Sequence, residues 1–179
     1  MMTASDWSIH SCDVGSMSRL PRILLSDDDA AFADAVREGL GRFGFDVTVA
    51  NDGRAAIGMW DDSDSVASDA ANVANAANVD GVADPIANSV PIHDAVPFHL
   101  CLLDFHMPGA TGLDVIRHVR SRPGGTVTPC VLMSAAMDDS IRREAESMRT
   151  YRILDKPIRL GILGQVVRDA ITETYGWTA

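Results

Sequence analysis

The sequence predicts an α/β protein built on a five-stranded parallel sheet, doubly wound, with helices on both faces. Three observations predict it. Short apolar runs and helical stripes alternate five times along the chain, the pattern of strands joined by right-handed helical crossovers. The run at 98–104 ("FHLCLLD") is continuously apolar in its middle, as a strand covered on both faces is. And the runs stop on polar residues: Asp27 and Asp28, Asp104, Ser134 and Lys156.

Residues 1–20 are polar and aperiodic and are expected to form a flexible tail, with Met17 a candidate true start. "RILLS" (22–26) is a strand running into Asp27, Asp28 and Asp29. Phe32, Val36, Leu40 and Phe43 recur at helical spacing until Gly44 stops the helix. "FDVTVA" (45–50) is rich in β-branched residues and reads as a strand, and "DGRAAIGMW" (52–60) as a short helix. Residues 61–97 break the rhythm with loose repeats of Ala, Asn, Asp, Ser and Val and prolines at 85, 91 and 97. Such a stretch buries little apolar surface, so a disordered insertion between the second helix and the third strand is expected rather than a second domain.

Order returns with the strand at 98–104. Leu113, Ile116 and Val119, with Val115 on the flank, stripe a helix that Pro123, Gly124 and Gly125 end. "TPCVLMSA" (128–135) is the fourth strand. Ile141, Ala145 and Met148 mark a more polar helix, and "YRILD" (151–155) is the fifth strand. Leu160, Leu163, Val167 and Ile171 stripe the last helix. The organisation expected is one domain over 21–175, with a short tail at 176–179.

The net charge of −10 is mostly local. The stretch 61–97 holds seven aspartates and no Lys or Arg, so the rest of the chain sums to only −3. Without a basic stretch, a nucleic-acid surface is not expected. Cys12, Cys101 and Cys130 lack metal-type spacing, and the last two lie in apolar runs as small hydrophobes. An odd count of buried thiols points to a reducing compartment. The opening "MMTASDWSIHSCDVGS" has neither a basic leader nor an apolar stretch, and no window approaches a membrane span. A cytoplasmic protein is expected.

In an open parallel sheet, ligands bind at the carboxyl ends of the strands. Three carboxylates gathered there repel one another unless a cation sits among them. Oxygen-only ligands suit a hard ion, and a few carboxylates plus waters suit Mg²⁺ better than Ca²⁺. Mg²⁺, a lysine and a hydroxyl around a carboxylate make a receptor for a phosphoryl group.

In this order and context, "ILLSDDDAAF", "LLDFHMPGATGLDVI", "VLMSA" and "LDKP" resemble the receiver domain of two-component response regulators. The resemblance covers about 21–175 outside the insertion, and implies the flavodoxin-like receiver fold. Carried over residue by residue, it makes Asp104 the phosphoacceptor. Asp27, Asp28 and Asp104, with the backbone carbonyl of His106, would hold Mg²⁺. Ser134 would be the switch hydroxyl, and Lys156 would pair with the phosphoryl group and precede a cis peptide bond to Pro157.

It further implies a phosphoprotein in a phosphorelay rather than an enzyme, one that catalyses its own phosphorylation and dephosphorylation. A sensor histidine kinase or phosphotransfer protein would be its donor. A downstream protein would be its target, without nucleic acid or membrane. The few residues after the last helix imply a stand-alone regulator of the single-domain chemotaxis type.

The chain departs from the family twice. Ile153 stands where an aromatic is common, with Tyr151 two residues earlier and expected on the same strand face. His106 stands where smaller or amide side chains are common. His93, His99 and His118 suggest no role, and Phe32, Phe43 and Trp60 are expected to fill the core.

Other accounts of these residues exist. The three acids at 27–29 suit a helix N-cap as well as a metal site. Haloacid-dehalogenase-type phosphotransferases also pair acids at the Asp27 and Asp29 spacing. They need a further acidic pair after the lysine, and 157–179 holds only Asp169 and Glu173 in a helical stretch. A receiver-like module kept only for docking would not need the full set of acids, Ser134 and Lys156.

Overall fold

The computed structural model describes residues 20–63 and 96–177. Five strands, β1 (Arg22–Ser26), β2 (Asp46–Ala50), β3 (Leu100–Asp104), β4 (Cys130–Ser134) and β5 (Arg152–Asp155), form one sheet in the order β2-β1-β3-β4-β5. Every neighbouring pair is parallel. The helices are α1 (Ala30–Arg42), α2 (described over 53–63), α3 (Gly112–Arg120), α4 (Asp139–Ser147) and α5 (Leu160–Tyr175).

Strand alternation sorts the core into two layers. Ile23, Leu25, Leu100, Leu102, Val131 and Met133 face α1 and α5. Leu24, Cys101, Leu103, Cys130 and Leu132 face the other way, against Trp60 of α2, Ile116 of α3 and Ala145 of α4. Cys101 and Cys130 are opposite one another in register, buried and free. The doubly wound sheet is therefore the one expected.

Local chemistry sets the helix starts. Asp29 accepts the Ala31 and Phe32 amides at the head of α1. Thr111 and Asp114 form a reciprocal capping box on α3, and Asp138 caps α4. The polar α4 keeps Ala145 as its one fully buried residue.

Several expectations are corrected. Residues 61–63 continue α2, and Asp61 bonds His118 at 2.8 Å and Arg122 at 3.1 Å. Val96 and Phe98 are buried, with the Phe98 ring 6.0 Å from Trp60, so both ends of the supposed insertion belong to the packed body. The remainder of that stretch, 64–95, lies outside the described residues, as do 1–19 of the expected tail and Cys12. At the other end, Trp177 is not tail. Its ring lies 4.9 Å from His99, and its carbonyl accepts the Thr172 hydroxyl at 2.6 Å. His99, given no role, is buried and accepts the Arg22 amide on Nδ1 at 2.9 Å.

Trp60 is fully buried and Phe32 packs against the core, but Phe43 is 39% exposed. Phe43 is the C-cap of α1, where the chain leaves the helical period, and its ring stacks beneath Arg168 at 5.0 Å. Tyr151 also departs. It precedes β5, packs on the α1/α5 side and donates its hydroxyl to Glu173 at 2.8 Å, whereas Ile153 packs on the opposite layer.

Candidate functional site

The parallel register brings the ends of β1, β3, β4 and β5 to one edge of the sheet. Asp27 directly follows β1, Asp104 ends β3, Ser134 ends β4, and Lys156 directly follows β5. Asp27, Asp104 and Ser134 are buried and Asp28 is exposed. One carboxylate oxygen from each of Asp27, Asp28 and Asp104 lies within 4.8 Å of the others. The Lys156 ammonium bridges two of them, 2.7 Å from Asp27 and 2.9 Å from Asp104. The Lys156–Pro157 bond is cis.

Two acids share one ammonium. Burial raises the Asp104 pKa, with Asp27 and Asp28 adding to the rise, and Lys156 only partly offsets it. Burial also works against the Lys156 charge, but its hydrogen bonds with Asp27 and Asp104 outweigh that and raise its pKa. A simple ion pair would lower the acid while raising the base. Here the acid rises too, because burial outweighs what Lys156 compensates.

The donor set is oxygen only, partly buried and short of positive charge. It fits a hard divalent cation such as Mg²⁺.

The loop after β3 turns sharply and starts α3 close against Asp104. Gly109 turns with φ +79°, and Gly112 opens α3 against the Asp104 backbone. A β-carbon at Gly112 would stand 2.5 Å from the Asp104 carbonyl oxygen, so only glycine lets the helix start this close. Met107 is tucked in, accepting the Ser26 hydroxyl on its sulfur at 3.0 Å. His106 is exposed, with its ring edge-on to Phe105 at 4.6 Å.

The Ser134 hydroxyl is engaged by its own loop. It donates to the Ala136 carbonyl at 3.0 Å and accepts the Ala136 amide at 3.2 Å.

The three acids of the cluster divide by position. Asp29 caps α1, while Asp27 and Asp28 face Asp104. The pairing of Asp27 with Asp29 that a haloacid-dehalogenase site requires is therefore taken up by the helix cap. One neighbour of the site escaped the sequence. The Phe32 ring lies 4.9 Å from the Lys156 ammonium, and its place on the first turn after the acids was the available signal.

The sequence model of the response regulator receiver domain matches residues 61–168, more than half of the chain. β1 and its acids precede that stretch, and the sheet joins them to it. Response regulator protein PilR of Pseudomonas aeruginosa is 31% identical over 74 residues, 41% of this chain. Cyclic di-GMP phosphodiesterase response regulator RpfG of Xanthomonas campestris is 38% identical over 60 residues, 34% of this chain. The matched stretches span 16% of the length of each. Among solved structures, chemotaxis protein CheY4 of Vibrio cholerae shares the fold at 19% identity and a TM-score of 0.60, over 85% of this chain and 99% of that one.

Proposed function

This chain belongs to the response regulator receiver family, and from that premise we propose that it accepts a phosphoryl group on Asp104 from a histidine kinase or phosphotransfer protein. The observation that carries the proposal is the convergence of Asp27, Asp28 and Asp104 around the Lys156 ammonium at the carboxyl ends of the strands. In the transfer, an Asp104 oxygen forms a bond to phosphorus while the donor's phosphorus–nitrogen bond breaks. The electron pair leaves with the imidazole nitrogen, which takes up a proton.

Asp27, Asp28, Asp104 and the His106 carbonyl hold Mg²⁺ in this proposal. The ion, when bound, neutralises charge developing on the phosphoryl oxygens. Lys156 supplies a second positive charge at the same place. For Ser134 to meet the phosphoryl group, its hydroxyl must give up its donation to Ala136. That exchange links phosphorylation to the loop before α4.

Ile153 is aliphatic where the family commonly has an aromatic, and Tyr151 packs on the other layer with its hydroxyl on Glu173. The change is therefore read out through the 134–138 loop and α4. The output is contact with a downstream protein or onward transfer to a second histidine, and the site of action is the cytoplasm. No described helix is long and apolar enough to cross a membrane.

The test is incubation with Mg²⁺ and acetyl phosphate or beryllofluoride, followed by intact mass and amide NMR. A single adduct on Asp104, lost in Asp104→Asn, is expected. An adduct on Asp27 or Asp28 would show that the acceptor is misassigned, and no response to either reagent would end the proposal.

A further inference from the structure

The Lys156 ammonium has a third neighbour besides its two carboxylates, and the contacts around it close into a ring. The Asp29 amide donates to Asp27 Oδ1 at 3.0 Å. Asp29 Oδ1 accepts the Phe32 amide at 3.1 Å. The Phe32 ring faces Lys156 Nζ at 4.9 Å, and Nζ donates to Asp27 Oδ2 at 2.7 Å. The cap that starts α1 therefore also fixes the ring beside the lysine. Core packing alone would be met by any large apolar side chain here, since Phe32 is only partly buried against the α1/α5 layer. The aromatic face adds an attraction for a cation that an aliphatic residue lacks.

From this geometry we propose that Phe32 is a positioning residue for Lys156, its ring forming the third side of the seat that keeps the ammonium beside Asp104. The inference rests on the phosphoacceptor proposal and extends it to a residue outside the charged set. Its physical content is a difference between the three neighbours. A divalent cation on the carboxylates takes up the negative charge that holds Nζ and repels the ammonium. The ring's attraction does not depend on those carboxylates and persists. Phe32 thus retains Nζ at the site when the carboxylates are occupied, which is when an incoming phosphoryl group needs it.

The experiment uses the full chain with Mg²⁺ and acetyl phosphate as probe. Phe32→Leu should slow modification of Asp104 about 2- to 5-fold, the effect of losing one partly exposed cation–ring contact. Phe32→Tyr, which keeps the aromatic face, should restore most of the rate. In a Lys156→Ala background, Phe32→Leu should have no further effect. Equal slowing in both backgrounds, or none in the first, would overturn the proposal and leave Phe32 as packing.

A second readout needs no phosphoryl chemistry. In wild-type protein without metal, the Lys156 ε-methylene protons should be shifted upfield by the ring, and unshifted protons would also refute it. If the wild type is not modified at all, the phosphoacceptor proposal fails while this shift still decides the role of Phe32.

Discussion

Lys156→Ala tests the electrostatics of the site most directly. The lysine side chain is 20% exposed, against 0% for Asp27 and 6% for Asp104. Removing it leaves two buried carboxylates facing each other with Asp28 close by. Breaking a buried pair by deleting one partner costs about 3–5 kcal/mol, and the partial exposure of the lysine puts this case near the lower end, about 3 kcal/mol. For a domain of this size that is a fall of about 10 °C in melting temperature.

The sign of the pH dependence follows from Asp104. Its folded pKa is already raised by burial, and losing Lys156 raises it further. A carboxyl whose folded pKa exceeds its unfolded value binds more protons when folded, so stability falls as pH rises through that window and recovers below it. The variant's deficit should therefore be largest at pH 7 and shrink towards pH 5.

Mg²⁺ should stabilise both proteins, each by about 2.7 kcal/mol at 100 times its own dissociation constant, and should narrow the deficit as far as it binds the variant more tightly. It should bind the variant at least as tightly as the wild type, because no ammonium has to be displaced. Thermal and urea unfolding at both pH values, with and without Mg²⁺, measure all of this. A variant melting within about 2 °C of wild type at pH 7 without metal, or a deficit indifferent to pH, would refute the reasoning.

Asp104→Asn removes the proposed nucleophile and one of the crowded charges while keeping the shape. Phosphorylation should vanish by intact mass, and the melting temperature should hold or rise. Deleting residues 64–94 should change unfolding free energy by at most about 1–2 kcal/mol, the loop-closure difference. The ends on either side are held without it, by Trp60 against Phe98, by Asp61 with His118, and by Arg22 donating to the Val96 carbonyl at 2.9 Å; a large loss in urea titration would show that the segment packs as structure.

His106 and Ala136 are both exposed beside the site, and Ala136 has no polar group to orient a hydrolytic water. In the proposed function the bulky His106 would shield the acyl phosphate, so His106→Asn and Ala136→Glu should each speed dephosphorylation in a decay assay. Slower decay in His106→Asn would mean that the imidazole assists the water instead.

Strand-borne residues were legible in the sequence. Within a strand the period of two leaves one choice of direction, and once both layers are apolar the register fixes the polar ends. That is why Asp104 and Ser134 are the last residues of β3 and β4, and Asp27 and Lys156 stand one position beyond β1 and β5, on the same edge of the sheet. The misjudged residues share a different position. Phe43 is the C-cap of α1, Tyr151 precedes β5, Val96 precedes β3 and Trp177 follows α5. At such places the backbone leaves its period, and a side chain goes where tertiary partners receive it. Arg168 takes Phe43, Glu173 takes Tyr151, and His99 takes Trp177. Asp29 and Phe32 obey the same rule. Three successive acids look equivalent in sequence, yet the first turn of α1 withdraws Asp29 from the cluster as a cap and thereby aims Phe32 at Lys156. The site's charged members were legible because strands carry them. Its aromatic member was not, because a helix cap places it.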